Sequence, residues 1–194
     1  MALVGAQLAR KAADEFSTAE WPRFVAGSIG PTNKTCSLSP DVSNPAARDI
    51  TYDEMLEAYL LQADALADGG VDAFLIETIF DTLNAKAAIE ACRRVNEERG
   101  LALPVMLSVT VSDLAGRTLS GQTLDGFLAS ISSLNIFSVG LNCSFGARQM
   151  KPYLAELARK APYYISAYPN AGLPNELGQY DETAESMSPQ IKEF

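Results

Sequence analysis

The sequence predicts an α/β fold built on a parallel sheet. Short apolar runs rich in β-branched or aromatic residues alternate along the chain with longer segments of helical period, which is the pattern of consecutive βα units. Most of these runs are apolar throughout, as is typical of parallel strands covered on both faces. The predicted strands are Phe24–Ala26, Ala73–Ile76, Val105–Val111, Phe137–Leu141 and Tyr163–Ala167.

Helices are predicted between these strands from apolar periodicity and end signals. The clearest covers Asp53–Ala67, because its apolar residues form one stripe, Thr51 is suited to cap its first turn and a glycine pair follows it. Residues 31–49 are rich in Pro, Ser, Asn and Thr, show no period and are predicted to form a long loop. The other predicted helices are Leu3–Phe16, Thr82–Arg99, Thr123–Leu134, Ala147–Lys160 and a last one that starts with Ser188 as cap and Pro189 as first residue.

Composition narrows the choice of partners. The chain has 194 residues, 47% of them hydrophobic and 20% charged, so a single domain over residues 1–194 is predicted. Its formal charge of −9 repels phosphate backbones and anionic membrane surfaces, which excludes nucleic acid and membranes as favoured partners. No apolar run approaches the roughly 18 to 20 residues of a membrane span, so we expect a cytoplasmic protein.

The titratable residues limit the chemistry. The three cysteines, Cys36, Cys92 and Cys143, are odd in number and far apart, which favours reduced thiols over disulfides. The chain contains no histidine, the commonest general base and the commonest metal ligand. Catalysis would therefore rest on carboxylates, amides, hydroxyls, lysines or thiolates.

Candidate site residues follow the predicted strands, because sites in parallel α/β folds lie at the carboxyl ends of the strands. Glu77 could hold a substrate ammonium or act as a base, and it could equally be a structural acid. The pair Gly27-Ser28 could form a backbone nest for a carboxylate or a tight turn. Cys143, directly after Asn142, could be a nucleophile without a histidine partner, a core thiol, or a metal ligand that needs companions.

Five motifs in order carry a resemblance to a known family. Together they resemble the homocysteine-binding module of cobalamin-dependent methionine synthase and, more broadly, the homocysteine S-methyltransferase family. The motifs are FVAGSIGPTNK (24–34), VDAFLIETIFDTLNAKAAI (71–89), SVTVSDLAGRTLSGQT (108–123), VGLNCSFGA (139–147) and YPNAGLPN (168–175).

The resemblance implies a partial (β/α)8 barrel with a thiolate zinc site. The chain would supply about five to six βα units of a barrel that is not closed. The family holds zinc with three cysteines, of which the first matches Cys143, and the adjacent pair in a Gly-Gly-Cys-Cys-Gly segment has no counterpart here. By the same resemblance Glu77 binds the homocysteine amino group, and Asn142 and the Gly27-Ser28 turn lie near the polar end of the amino acid. No residue of the chain is assigned as catalytic.

The function implied is the transfer of a methyl group to the homocysteine thiolate to form methionine. Methylcobalamin is the implied donor, recharged from methyltetrahydrofolate by other modules. With one zinc ligand of three, we expect the chain to be inactive alone, and we expect other methionine synthase modules or a second chain to cover the open barrel edges.

The sequence is also compatible with two alternative functions. One is an amino-acid-binding module without catalysis, and the other is an unrelated parallel-barrel lyase. The lysines argue against the lyase, because none ends a predicted strand where a Schiff base would form. These lysines are Lys34, Lys86, Lys151 and Lys160.

Overall fold

The computed structural model describes all 194 residues and contains five strands in one open sheet, in the order β1-β2-β3-β4-β5. Each strand is hydrogen-bonded to its neighbours in sequence, and β1 with β2 and β4 with β5 run parallel. The predicted α/β fold with an unclosed parallel sheet is confirmed. The elements are α1 (Ala2–Phe16), β1 (Ala26–Ile29), α2 (Tyr52–Asp68), β2 (Ala73–Ile79), α3 (Thr82–Arg99), β3 (Val105–Val109), α4 (Leu124–Ile131), β4 (Ser138–Gly146), α5 (Ala147–Lys160), β5 (Tyr164–Asn170) and α6 (Ala184–Ile191).

The chain divides into two compact units. The first unit comprises Met1–Ile76 and Asp81–Met106, and the second comprises Glu77–Phe80 and Leu107–Phe194. Strands β2 and β3 each contribute residues to both. No helix combines the length and the apolar composition that crossing a membrane requires.

In the first unit, α2 begins where the sequence predicts. Thr51 accepts a hydrogen bond from the Glu54 N–H, and the Glu54 carboxylate accepts one from the Thr51 N–H at 2.9 Å, which forms a capping box. The predicted apolar stripe is buried, and Gly69 ends the helix. Its buried members are Met55, Leu56, Tyr59, Ala63 and Leu66.

The long predicted loop has no regular structure, and two buried side chains hold its base. The Asp81 carboxylate, which caps α3, accepts hydrogen bonds from the N–H and the hydroxyl of Ser37 at 2.9 and 2.8 Å. Asn84 accepts from the Cys36 N–H at 2.9 Å and donates to the Lys34 carbonyl at 2.9 Å. The loop is therefore fixed to the start of α3, although it lies far from α3 in sequence.

The first strand begins later than predicted. Phe24 is 76% exposed, and the main chain of Val25 is held by Asp72, whose carboxylate accepts the Val25 N–H at 2.6 Å. The ladder to β2 starts only at Ala26. The prediction that Gly27 and Ser28 form a turn after the strand is therefore wrong, since both lie within β1.

The C-terminal helix begins earlier than predicted. Thr183 caps it by accepting the Ser186 N–H, and the Ser186 hydroxyl accepts the Thr183 N–H at 2.9 Å. Pro189 consequently lies inside α6, and the prediction of a start at Ser188 is wrong. The capping box outweighs the proline signal because it satisfies two otherwise unpaired N–H groups.

Helix α1 packs on the end of α2 through a contact that has no room for a side chain. A Cβ added to Gly69 would lie 2.3 Å from the Cβ of Ala6 and 3.1 Å from the Leu3 carbonyl oxygen. The φ of Gly69 is −76°, which any residue adopts, so the requirement for glycine is purely steric.

We therefore expect Gly69→Ala to lower the free energy of unfolding by about 1–3 kcal/mol, because α1 must move away to relieve the overlap. Urea unfolding followed by circular dichroism measures the change. Gly5→Ala in α1 is the matched control, because a Cβ at Gly5 meets nothing within 4 Å. A helical alanine at that position should leave stability unchanged or raise it by up to about 1 kcal/mol. Equal stability of Gly69→Ala and the unmodified chain would contradict the packing described.

Candidate functional site

A cluster of polar side chains in the second unit surrounds Asn142 of β4. Asn142 is only 5% exposed, yet all four hydrogen-bonding positions of its amide are used. Its Oδ1 accepts from the Thr78 N–H at 3.1 Å and from the Ser108 hydroxyl at 2.8 Å. Its Nδ2 donates to Thr78 Oγ1 at 2.9 Å and to Cys143 Sγ at 3.1 Å. One buried amide thus joins residues from β2, β3 and β4.

Strand geometry places Asn142 at this junction. Residues 138, 140 and 142 lie on one face of β4, and β4 stays in parallel register with β5 as far as the pair Asn142 and Tyr168. The register then shifts until Gly146 pairs with Asn170. Asn142 is therefore the last residue before a bulge, where a ladder ends and side chains can be redirected.

Three non-glycine residues at this cluster have a left-handed backbone conformation. The φ angles are +57° for Thr78, +58° for Cys143 and +61° for Ser144. Such conformations are uncommon outside glycine and are least favourable for a β-branched residue such as Thr78. Strain of this kind persists only where the surroundings hold it, and it is concentrated at functional sites. Here the amide of Asn142 bonds directly to two of the three residues.

Glu77 lies within β2 and is half-buried. The predicted strand ended at Ile76, whereas β2 ends three residues later at Ile79, so the prediction that Glu77 follows the strand is wrong. The strand continues because the Ile79 carbonyl accepts the Thr110 N–H at 2.9 Å and the Ile79 side chain is 4% exposed. Alternation along β2 puts Glu77 on the face opposite Phe74 and Ile76, which are both buried. Glu77 directly precedes Thr78, so it belongs to the segment that Asn142 holds.

The three cysteines differ in their surroundings. Cys143 is exposed at the Asn142 cluster, whereas Cys36 and Cys92 are buried in the first unit. Burial raises the pKa of Cys92 to about 12, and burial together with the nearby Asp81 carboxylate raises the pKa of Cys36. Cys92 is fully enclosed by α3 and its neighbours and behaves as a small core residue, as its position within a helix suggested.

Gly27 and Ser28 belong to the first unit and serve its packing. A Cβ at Gly27 would lie 3.0 Å from Val71 and 3.2 Å from Leu66, so the glycine lets α2 approach the sheet closely. The Ser28 carbonyl accepts a hydrogen bond from Gln62 Nε2 at 3.1 Å. Their predicted part in binding the amino acid stays a prediction.

Sequence reasoning missed Thr78 and Ser108, which support Asn142 from two other strands. Ser108 is 1% exposed inside β3. A hydroxyl within an otherwise apolar buried strand is the signal that could have singled it out, because a buried polar group needs a partner. Thr78 had a similar signal, as a polar residue between Ile76 and Ile79.

The side chains of this chain do not complete a metal site. No group of three or more His, Cys, Asp or Glu residues is arranged to hold a metal ion. Cys143 alone offers an accessible thiol, and a structural or catalytic zinc ion needs at least three protein ligands.

Comparison with known proteins agrees with the fold. Two crystal structures of the homocysteine methyltransferase MmuM from Escherichia coli are similar to this chain. The apo form has a TM-score of 0.63 at 23% identity, with 88% of this chain and 59% of that chain covered. The metallated form has a TM-score of 0.63 at 21% identity, with 88% and 57% covered. This chain thus spans less than two-thirds of the length of either structure, and at these identities the likeness concerns the fold.

The decisive comparison is with a family model. The model described as homocysteine S-methyltransferase matches residues 1–194, the whole length of the sequence. The match includes both of these segments of the cluster, Glu77-Thr78 in β2 and Asn142-Cys143 in β4. The chain belongs to the homocysteine S-methyltransferase family.

Proposed function

We propose that this chain is the homocysteine-binding part of a methyltransferase that forms methionine from homocysteine, of the zinc- and cobalamin-dependent methionine synthase type. The observation that carries the proposal is the junction at Asn142. It holds a carboxylate-bearing segment, Glu77-Thr78, against a thiol-bearing one, Asn142-Cys143, in a chain of this family. Homocysteine carries an ammonium group, which pairs with a carboxylate, and a thiol, which could share a zinc ion with a cysteine thiolate.

Glu77 is proposed to bind the homocysteine ammonium. A carboxylate that is half-buried interacts more strongly with a cation than one in bulk water, because the local dielectric constant is lower. The ion pair would fix the amino end of the substrate and leave the thiol end free to lie on the side of Cys143. In methyl transfer the homocysteine sulfur bonds to the methyl carbon while the bond from that carbon to the donor breaks.

Cys143 is proposed as one zinc ligand, matching the first of the family's three. A zinc ion bound by thiolates would deprotonate a substrate thiol at neutral pH. Since the side chains present do not complete such a site, we assign no step of the reaction to the metal. Cobalamin and methyltetrahydrofolate are proposed to act through other modules, and we propose that this chain alone binds homocysteine without methylating it.

A second candidate is an amino-acid-binding module that performs no methyl transfer in any assembly. The solitary accessible thiol favours it. The two candidates differ in their response to added modules, because only a methyltransferase part would support methionine formation when the donor modules are supplied.

We expect Glu77→Gln to raise the Kd for homocysteine by about 10- to 100-fold, because it removes the charge that pairs with the ammonium and keeps the shape. Isothermal titration calorimetry on the full chain measures this change. Glu176→Gln is the matched control, since Glu176 is an exposed acid of the same unit, and it should leave the Kd within about twofold. An unchanged Kd for Glu77→Gln would remove Glu77 from the site.

We also expect iodoacetamide to label Cys143 first in the native chain at pH 8. Burial shields Cys36 and Cys92 and raises the pKa of both thiols, so they stay protonated and unreactive at this pH. Mass spectrometry of the labelled peptides should show Cys143 reacting at least about 100 times faster than either buried thiol. Cys143→Ser should be labelled at least about 100 times more slowly than the unmodified chain until it is denatured. Comparable rates at all three cysteines would contradict the burial described.

A further inference from the structure

We infer that Asn142 is a positioning residue, which sets the geometry of the Glu77-Thr78 and Cys143 segments instead of binding the substrate through its own amide. The inference rests on the proposed function and makes it more specific. Its basis is that both hydrogens of Nδ2 and both acceptor positions of Oδ1 are already bonded to protein atoms. A ligand would have to displace one of these bonds to reach the amide.

The orientation of the amide is fixed by one of its partners. The Thr78 main-chain N–H can only donate, so the atom 3.1 Å from it must be the oxygen. The nitrogen must then face Thr78 Oγ1 and Cys143 Sγ, which both can accept. Asn142 therefore contacts Thr78 through both ends of its amide and the cysteine sulfur through one.

The two segments it joins need such support. Left-handed backbone at a non-glycine residue costs about 1 kcal/mol or more, and Thr78 and Cys143 both have it. The bonds from Asn142 favour these conformations over extended ones. If the amide is removed, we expect both residues to relax toward extended backbone, which moves the side chains of Glu77 and Cys143.

Ser108 provides a matched control for this role. Its hydroxyl bonds to Asn142 Oδ1 at 2.8 Å, and it is as deeply buried as Asn142. The Ser108 hydroxyl bonds to Asn142 and not to Thr78 or Cys143. Removing the Ser108 hydroxyl disturbs the same buried network but leaves the hydrogen bonds from Asn142 to Thr78 and to Cys143 in place.

The experiment uses three variants of the full chain, Asn142→Ala, Asn142→Asp and Ser108→Ala. Three quantities are measured: hydrogen exchange at the Thr78 amide, iodoacetamide labelling of Cys143, and the Kd for homocysteine. Asn142→Ala should speed exchange at Thr78 by at least about tenfold and labelling of Cys143 by at least about fivefold. It should also raise the Kd for homocysteine by at least about tenfold. Ser108→Ala should keep exchange and labelling within about threefold of the unmodified chain.

Asn142→Asp keeps the inference testable if the alanine variant does not fold. Aspartate retains the size and the oxygen that accepts from Thr78 and Ser108, but it has no N–H to donate to the cysteine sulfur or to Thr78 Oγ1. The Thr78 hydroxyl can donate to the carboxylate instead, whereas the bond to the cysteine sulfur is lost. The Thr78 amide should then stay protected within about threefold, while the labelling rate of Cys143 departs at least about fivefold from the original.

Two results would overturn the inference. In the first, the Asn142 variants that fold show rates of Thr78 exchange and of Cys143 labelling within about twofold of the unmodified chain. In the second, Ser108→Ala changes these two rates as much as the Asn142 variants do. Failure of the unmodified chain to bind homocysteine would instead reject the proposed function, because exchange and labelling report on Asn142 without any ligand.

Discussion

The candidate site depends on one buried amide and on the need to satisfy it. A primary amide taken out of water without partners costs several kcal/mol, so a buried asparagine requires donors and acceptors in fixed directions. Asn142 finds them on β2, on β3 and in the next residue of its own strand. These requirements link the ends of three strands, and the half-buried Glu77 and the exposed Cys143 take their positions from this link.

The first unit has a similar arrangement, but there it serves folding. The Asp81 carboxylate caps α3 and at the same time accepts two hydrogen bonds from Ser37 in the long loop. Asn84, one turn further along, bonds to the loop through both the oxygen and the nitrogen of its amide. A helix start offers unpaired N–H groups and a favourable field for a carboxylate, so the buried Asp81 is stable there and can hold the loop as well. In both units a buried polar side chain near the end of a strand or helix bonds to main-chain groups that have no partner in the regular secondary structure.

Local signals predicted much of the fold, and contacts distant in sequence account for the errors at the start of β1 and in the site. The bounds of α3 and α5 follow from periodicity and from residues adjacent to each helix, so the sequence predicted them correctly. The start of β1 depends on Asp72, which is 47 positions away from Val25, and no local pattern contains that information. In the site, Cys143 and Glu77 were predicted from their places near strand ends and from the family resemblance. Thr78 and Ser108 were missed because their partner lies 64 and 34 positions away.

Backbone conformation explains how adjacent residues can serve one site. In a regular strand, neighbouring side chains point to opposite faces, so Asn142 and Cys143 could not touch. The observed distance of 3.1 Å between Asn142 Nδ2 and Cys143 Sγ therefore requires the bulge and the left-handed φ of Cys143. The left-handed φ of Thr78 likewise breaks the alternation of β2, so that a hydroxyl can reach Asn142 from the position next to Glu77. The strain at Thr78 and Cys143 is thus the physical condition for bringing a hydroxyl, an amide and a thiol into contact at one cluster.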